Sequence, residues 1–300
     1  MKKILSIDGG GCKGLIPIVL LRYLENNLLD KPIQQSFDFF AGTSTGGIIS
    51  LLLSTGMSMD DIYNFYTKEP IHKIFKGKLK LNPLDAIKYP SADIDGVLND
   101  IFKGVKLGDT RPDKGLLVTT YDILSKQAVF FTKEDKRYSN VLLSQIARAT
   151  SAAPTFFESF VLNDMLCVDG GVFANNPALC AYTEAQKKYP NEEIILVSLG
   201  TGSLYEYVDP NKIKKYNMLD WATGLFDLVS DGQSDTTEYI LRKMLPIKDY
   251  WRFQVRLSKD NSSMDNVSDK NLKDLENLTK NYINNEWYDE LDDLAKVLNR

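Results

Sequence analysis

Residues 37–53, Phe37-Asp38-Phe39-Phe40-Ala41-Gly42-Thr43-Ser44-Thr45-Gly46-Gly47-Ile48-Ile49-Ser50-Leu51-Leu52-Leu53, decide the fold. Phe37 to Ala41 reads as a buried strand, and a nearly all-apolar helix is expected from about Ser44 to Leu53. The glycine-punctuated turn between them fits Gly-x-Ser-x-Gly, in which a sharp strand-to-helix turn exposes a serine above a sheet. Glycine is needed at both flanks because a side chain there would collide with the neighbouring strand or helix. Five residues alone are a weak signal, since most such patterns are plain turns. The apolar strand before and the apolar helix after are what strengthen it. Ser44 would sit at a helix N-terminus, where the dipole favours developing negative charge.

Working outward, Ile4 to Asp8 reads as a second short buried strand, followed by the loop Asp8-Gly9-Gly10-Gly11-Cys12-Lys13-Gly14. Apolar positions Leu15, Ile16, Val19, Leu20, Tyr23, Leu24 and Leu28 then recur at helical spacing, with Pro17 tolerated in the first turn. The order strand, helix, strand, helix predicts parallel neighbours joined by right-handed crossovers, so an α/β fold. The two glycine turns should then face each other at the C-terminal edge of the sheet, where open α/β sheets place their sites.

Further along, Leu116 to Tyr121 and Ala128 to Thr132 look like strands, Val141 to Thr150 like a helix, and Met165 to Val168 like a short strand. Pro177 to Lys188 reads as a helix and Glu193 to Leu199 as a buried strand ending in Gly200-Thr201-Gly202. Residues 82–114 are broken by Pro and Gly. The rest reads as mostly helical, with amphipathic stripes at Leu272, Leu275, Leu278 and Tyr282, then Trp287, Leu291, Leu294 and Leu298. No repeat or linker divides the chain, so a single domain over 1–300 is expected. Its core would span about 1–205, with a mostly helical part, 206–300, packed on it.

With 300 residues and 43% hydrophobic content the chain can bury a large core. A formal net charge of -4 and a pI near 5.3 give no encouragement to nucleic-acid binding. The start does not read as a signal peptide, because Asp8 and three glycines break its apolar stretch, so none is expected. The longest apolar stretch, near Ile48 to Leu53, is far short of the roughly 20 residues that cross a bilayer. A cytoplasmic protein, peripheral at membranes if it meets them, is the expectation, with secretion by a route that needs no N-terminal signal as the alternative. Cys12, Cys167 and Cys180 lack CxxC spacing and read as reduced thiols.

Consecutive glycines let backbone N–H groups converge on one concavity, which suits either a phosphate or the oxyanion of a tetrahedral intermediate. A tight turn with no ligand is the plain alternative. A dinucleotide fingerprint fits badly, because the spacing is not G-x-G-x-x-G and no acidic residue ends the second strand. A serine nucleophile needs a base, and His72 is the one histidine. It lies in the basic run Lys68 to Lys80, away from any strand end, and reads as a surface residue. Asp169, which follows a short strand and precedes Gly170-Gly171, is the best-placed carboxylate. Its alternative is an ordinary turn aspartate bonding its own backbone.

These residues carry a resemblance. IDGGGCKG, GTSTGG and DGG, together with ATSAAPTFF (149–157), FANNPA (173–178) and SLGTG (198–202), resemble the signatures of the patatin-like phospholipases. The resemblance implies a three-layer α/β/α fold with a mainly parallel central sheet. It implies Ser44 as nucleophile and Asp169 as base, an oxyanion hole built by Gly10 and Gly11 with Gly9 nearby, and Lys13 as a supporting cation. It implies no metal and no cofactor. The expected activity is release of fatty acids from glycerophospholipids or other fatty-acyl esters, of phospholipase A or lysophospholipase type. One local feature agrees: Lys68, Lys73, Lys76, Lys78 and Lys80 alternate with Ile71, Ile74, Phe75 and Leu79, a strip suited to transient contact with an anionic membrane or, equally, to a solvated helix face. A phosphate-binding module and a silent interaction protein are the competing classes.

Overall fold

The computed structural model describes residues 1–77, 87–204, 210–214 and 218–300. Among these, eight strands form one sheet in the order β5-β6-β3-β2-β1-β7-β9, with β4 paired to β3. The strands are β1 (Lys2–Ile7), β2 (Phe39–Thr43), β3 (Gly115–Asp122), β4 (Gln127–Thr132), β5 (Phe160–Leu162), β6 (Met165–Asp169), β7 (Ile194–Leu199) and β9 (Tyr250–Phe253). From β3 through β9 every neighbouring pair is parallel, while β4, β5 and β6 run antiparallel to their partners.

Both faces of the parallel core are covered, which is why its strands are near-continuous apolar runs. Leu5, Ile7, Phe40, Leu116, Val118, Val197 and Leu199 point into the larger core, with the Leu15–Asn27, Thr45–Ser54 and Asp269–Asn285 helices. Ile4, Phe39, Ala41, Leu117 and Leu196 point the other way, onto Ala178, Ala181 and Ala185 of the Ala178–Lys188 helix. The period of two thus builds the three layers. Every residue of the Thr45–Ser54 helix is buried, which explains its unbroken apolarity.

Two features add to the sequence reading. The C-terminal part is not only helical: Tyr250–Phe253 adds a parallel strand to β7, and Ser203–Leu204 (β8) pairs with Arg256–Leu257 (β10). Within 82–114, Ser91–Phe102 is a helix that buries Ile94, Val97, Leu98 and Phe102 at helical spacing. The Leu272 and Leu291 stripes do fold as helices, Asp269–Asn285 and Tyr288–Leu298, with those faces inward.

Candidate active site

β2 ends at Thr43 and the next helix starts at Thr45, so the whole change of direction falls on Ser44. Its φ of 54° and ψ of -123° lie where a residue with a side chain is strained. The flanking glycines are required by contact. A Cβ on Gly42 would lie 2.1 Å from the Gly46 carbonyl oxygen, and one on Gly46 would lie 2.1 Å from the Ile7 carbonyl oxygen. The Ser44 N–H donates to Thr150 Oγ1 at 2.9 Å, which fixes the turn from the side.

Asp169 reaches the same point from another direction. One edge of β3 carries β4; on the other, β2 occupies Gly115 to Thr119 and β6 occupies Thr120 to Asp122. β2 and β6 therefore meet end to end, with Thr43 opposite Thr119 and Asp169 opposite Thr120. The residue after Thr43 is Ser44. Asp169 is 1% exposed, and its Oδ1 accepts the Gly171 N–H at 2.7 Å, as a turn aspartate would. Its Oδ2 has no hydrogen bond of regular geometry among the described residues, and the Ser44 hydroxyl is the side-chain donor near enough to pull on the carboxyl. Burial pushes the Asp169 pKa up to about 7, against the pull of that hydroxyl and of the Gly171 N–H.

The glycine loop faces the same cleft, which Gly10, Gly11, Ser44 and Asp169 all line. Gly11 needs its missing side chain, because its φ is +60° and a Cβ would lie 2.1 Å from the Met264 carbonyl oxygen. The N–H groups of Gly10 and Gly11 have no acceptor among the described residues, so both are available to a ligand. One expectation needs correcting, and a second residue stands a little apart. The Gly9 N–H already donates to the Asn175 carbonyl at 3.0 Å, so Gly9 shapes the loop instead of offering a donor. Lys13 does not line the Ser44 cleft; it stands in an adjoining polar pocket with Asp227 and Asp231, which shares Gly10, Asn175 and Met264 with the cleft. Burial holds its ammonium below the ordinary lysine pKa, opposed by those two carboxylates.

Beyond Ser44 the cleft is apolar, bounded by Ile48, Phe65, Ile71, Ile74, Phe75, Ile94, Phe156, Phe157 and Phe226, among others. Ile71, Ile74 and Phe75 of the basic strip thus face the cleft, while Lys68, Lys73 and Lys76 are exposed; Lys78, Leu79 and Lys80 lie outside the described residues. His72 is not part of the lining. Its Nε2 sits 3.6 Å from Asp269 Oδ1 at the surface. The three cysteines are free, and Cys12 and Cys167 are buried.

Sequence reasoning missed Arg252. From β9 it reaches across β7 to hold the Asp8 carboxylate and to donate to Ser198 Oγ at 2.9 Å, which anchors the root of the glycine loop. The aromatic, alternating run Tyr250-Trp251-Arg252-Phe253 was the available signal for a strand there, though nothing in it marked Arg252 as Asp8's partner.

The chain is similar to known proteins along most of its length. The family model described as patatin-like phospholipase matches residues 5–182. Patatin-like protein 2 of Oryza sativa subsp. indica is 31% identical, over 92% of this chain and 82% of its own. Patatin-like protein 2 of Arabidopsis thaliana is 30% identical, over 90% and 79%. Among solved structures, VipD from Legionella pneumophila is similar over 93% of this chain and 67% of its own, at 13% identity and a TM-score of 0.48. The match covers both the glycine loop and the serine turn, and the chain belongs to the patatin-like phospholipase family of lipid acyl hydrolases.

Proposed function

We propose that the protein releases fatty acids from membrane glycerophospholipids through a Ser44–Asp169 dyad and an acyl-enzyme, as a phospholipase A or lysophospholipase. The observation that carries this reading is a strained, cleft-facing Ser44 beside a buried carboxylate with one oxygen free of regular hydrogen bonds. Asp169 takes the Ser44 proton as Oγ attacks the ester carbonyl carbon. The oxyanion is received by the Gly10 and Gly11 N–H groups, where a single such donor is worth roughly 3–4 kcal/mol. The carbon–oxygen bond to the alcohol breaks and the alcohol leaves with the proton held by Asp169. Water, deprotonated by the same carboxylate, then releases the fatty acid. A carboxyl with a pKa near 7 is a better base than an ordinary aspartate while still ionised in half or more of the molecules at neutral pH.

The apolar cleft suits an acyl chain. The helix Met218–Met244 turns Phe226 into that cleft and leaves Leu225 and Leu228, 52% and 58% exposed, beside it. Together with exposed Lys73 and Lys76, which flank the cleft-lining Ile74 and Phe75, this supports transient docking at a lipid surface by a cytoplasmic, peripherally bound enzyme. No helix among the described residues is long and apolar enough to cross a membrane.

Mass spectrometry of a mixed phospholipid extract tests the reaction. Wild type should yield free fatty acids and lysophospholipids, while Ser44→Ala and Asp169→Asn yield neither. Undiminished release by either variant removes the dyad, and an inert wild type removes the reaction.

A further inference from the structure

The segment around Met264, in the C-terminal third of the chain, packs directly on the glycine loop. Its carbonyl oxygen accepts the Cys12 N–H at 2.8 Å and occupies the space where a Gly11 side chain would stand. The Cys12 thiol leans on the carbonyls of Ser263 and Asn266, at 3.6 and 3.5 Å. The peptide joining Gly11 to Cys12 is thereby set by a segment about 250 residues away in sequence.

What holds that segment is Asp265, whose side chain is 7% exposed. Its carboxylate accepts from Ser263 Oγ at 2.6 Å, from the Tyr89 hydroxyl at 2.6 Å, and from Lys88 Nζ. Tyr89 packs against the aromatic residues that line the cleft. Its ring meets Phe75 edge-on at 5.3 Å and lies 5.7 Å from Phe157, and its N–H donates to the Phe156 carbonyl at 2.8 Å. Phe75, Phe156 and Phe157 line the apolar cleft.

We propose that Asp265 is a positioning residue which, through the Tyr89 hydroxyl, couples the apolar wall of the cleft to the Gly10–Gly11 donors, so that a long acyl chain packed on Phe75 and Phe157 steadies the oxyanion loop. The inference rests on the reaction proposed above. Binding energy from a part of the substrate remote from the reacting carbon then appears in kcat and not only in KM. An acyl ester with a short chain leaves the wall unfilled and gains less.

Steady-state turnover of nitrophenyl esters of graded chain length tests it in the full chain. Wild-type kcat should rise with chain length. Tyr89→Phe, which keeps the ring and removes the hydroxyl, should lower kcat about tenfold for long chains and by a smaller factor for short ones, with KM little changed. That loss is short of the roughly 100- to 1000-fold expected when an oxyanion donor is removed outright. Asp265→Ala should match Tyr89→Phe, and Asp265→Asn, which keeps an acceptor for the hydroxyl, should recover most of the chain-length dependence. The same factor lost at every chain length, or a wild-type kcat indifferent to chain length, overturns the coupling. Hydrogen exchange at the Cys12 amide, read without substrate, gives a check independent of turnover: Tyr89→Phe should exchange faster there while the amides of β1 stay protected. Unchanged Cys12 protection overturns the proposal even if the esterase reaction holds, and an inert wild type with faster Cys12 exchange removes the reaction and leaves the link between Tyr89 and the loop.

Discussion

Arg252 grips Asp8 with both terminal nitrogens, Nη1 at 3.0 Å and Nη2 at 2.6 Å, and each side chain is 2% exposed. Burial works against the charge on Arg252, but the adjacent Asp8 carboxylate outweighs it and holds the guanidinium above its ordinary pKa. A pair this deep is matched to itself, and removing one partner leaves the other charged in a place water cannot reach. Arg252→Met should therefore lower unfolding stability in urea by about 3–5 kcal/mol, the usual cost of orphaning a buried charge. Adding Asp8→Asn should recover part of that loss. A single variant as stable as wild type would mean that Asp8 finds another partner.

How far the sequence announced this site depends on distance along the chain. The Ser44 turn was legible because strand, glycines and helix are contiguous, and each glycine answers a steric need within the turn or with β1. Asp169 was legible as a carboxylate ending a short strand, although its meeting with Ser44 depends on β2 and β6 sharing one edge of β3. The Gly9 expectation failed because it depends on what lies behind the loop, the Asn175 carbonyl, and the surroundings of Lys13, with Asp227 and Asp231 on a distant helix, were hidden in the same way. Arg252 and Met264 were invisible for the same reason. Their partners are settled by packing over more than 240 residues, and no local periodicity encodes that.

The pH dependence of turnover follows from Asp169. Its base form is the ionised one and its pKa is raised to about 7, so kcat/KM should climb with pH through an apparent midpoint near 7 and not near 4. A midpoint near 4 would place the base in solvent.

The same shift has a stability consequence of opposite sense. A carboxyl that titrates at 3.8 when unfolded and about 7 when folded binds its proton more tightly in the native state, so it favours folding below pH 4 and that contribution is lost as pH rises through 7. Asp169→Asn, which carries no charge to bury, should gain on wild type over that window, by up to about 4 kcal/mol at about 1.4 kcal/mol per unit. Thermal melts of both chains at pH 5 and pH 8 measure it, and an advantage that shrinks toward pH 8 contradicts the sign.

Strain at Ser44 separates its backbone from its hydroxyl. Glycine tolerates a φ of 54° where serine does not, and relief of about 1–3 kcal/mol is partly offset by the roughly 0.5–1 kcal/mol of extra chain entropy that glycine loses on folding. Ser44→Gly should thus be inactive yet about 1 kcal/mol more stable than wild type, while Ser44→Ala is inactive at unchanged stability. If both variants melt together with wild type, the turn stores no strain.

Docking through the Met218–Met244 helix predicts a split between dissolved and aggregated substrate. Leu225 and Leu228 are half-exposed one turn apart beside Phe226, and covering the rest of each with lipid should yield about 1 kcal/mol. Replacing both by Ser should weaken vesicle binding by about 2 kcal/mol, roughly 30-fold, and vesicle hydrolysis with it. Neither side chain lines the cleft, so turnover of a dissolved short-chain ester should stay at the wild-type rate. Equal losses on both substrates would assign the leucines to the support of Phe226, and undiminished vesicle binding would move the docking surface off this helix, toward Lys73 and Lys76 beside Ile74 and Phe75.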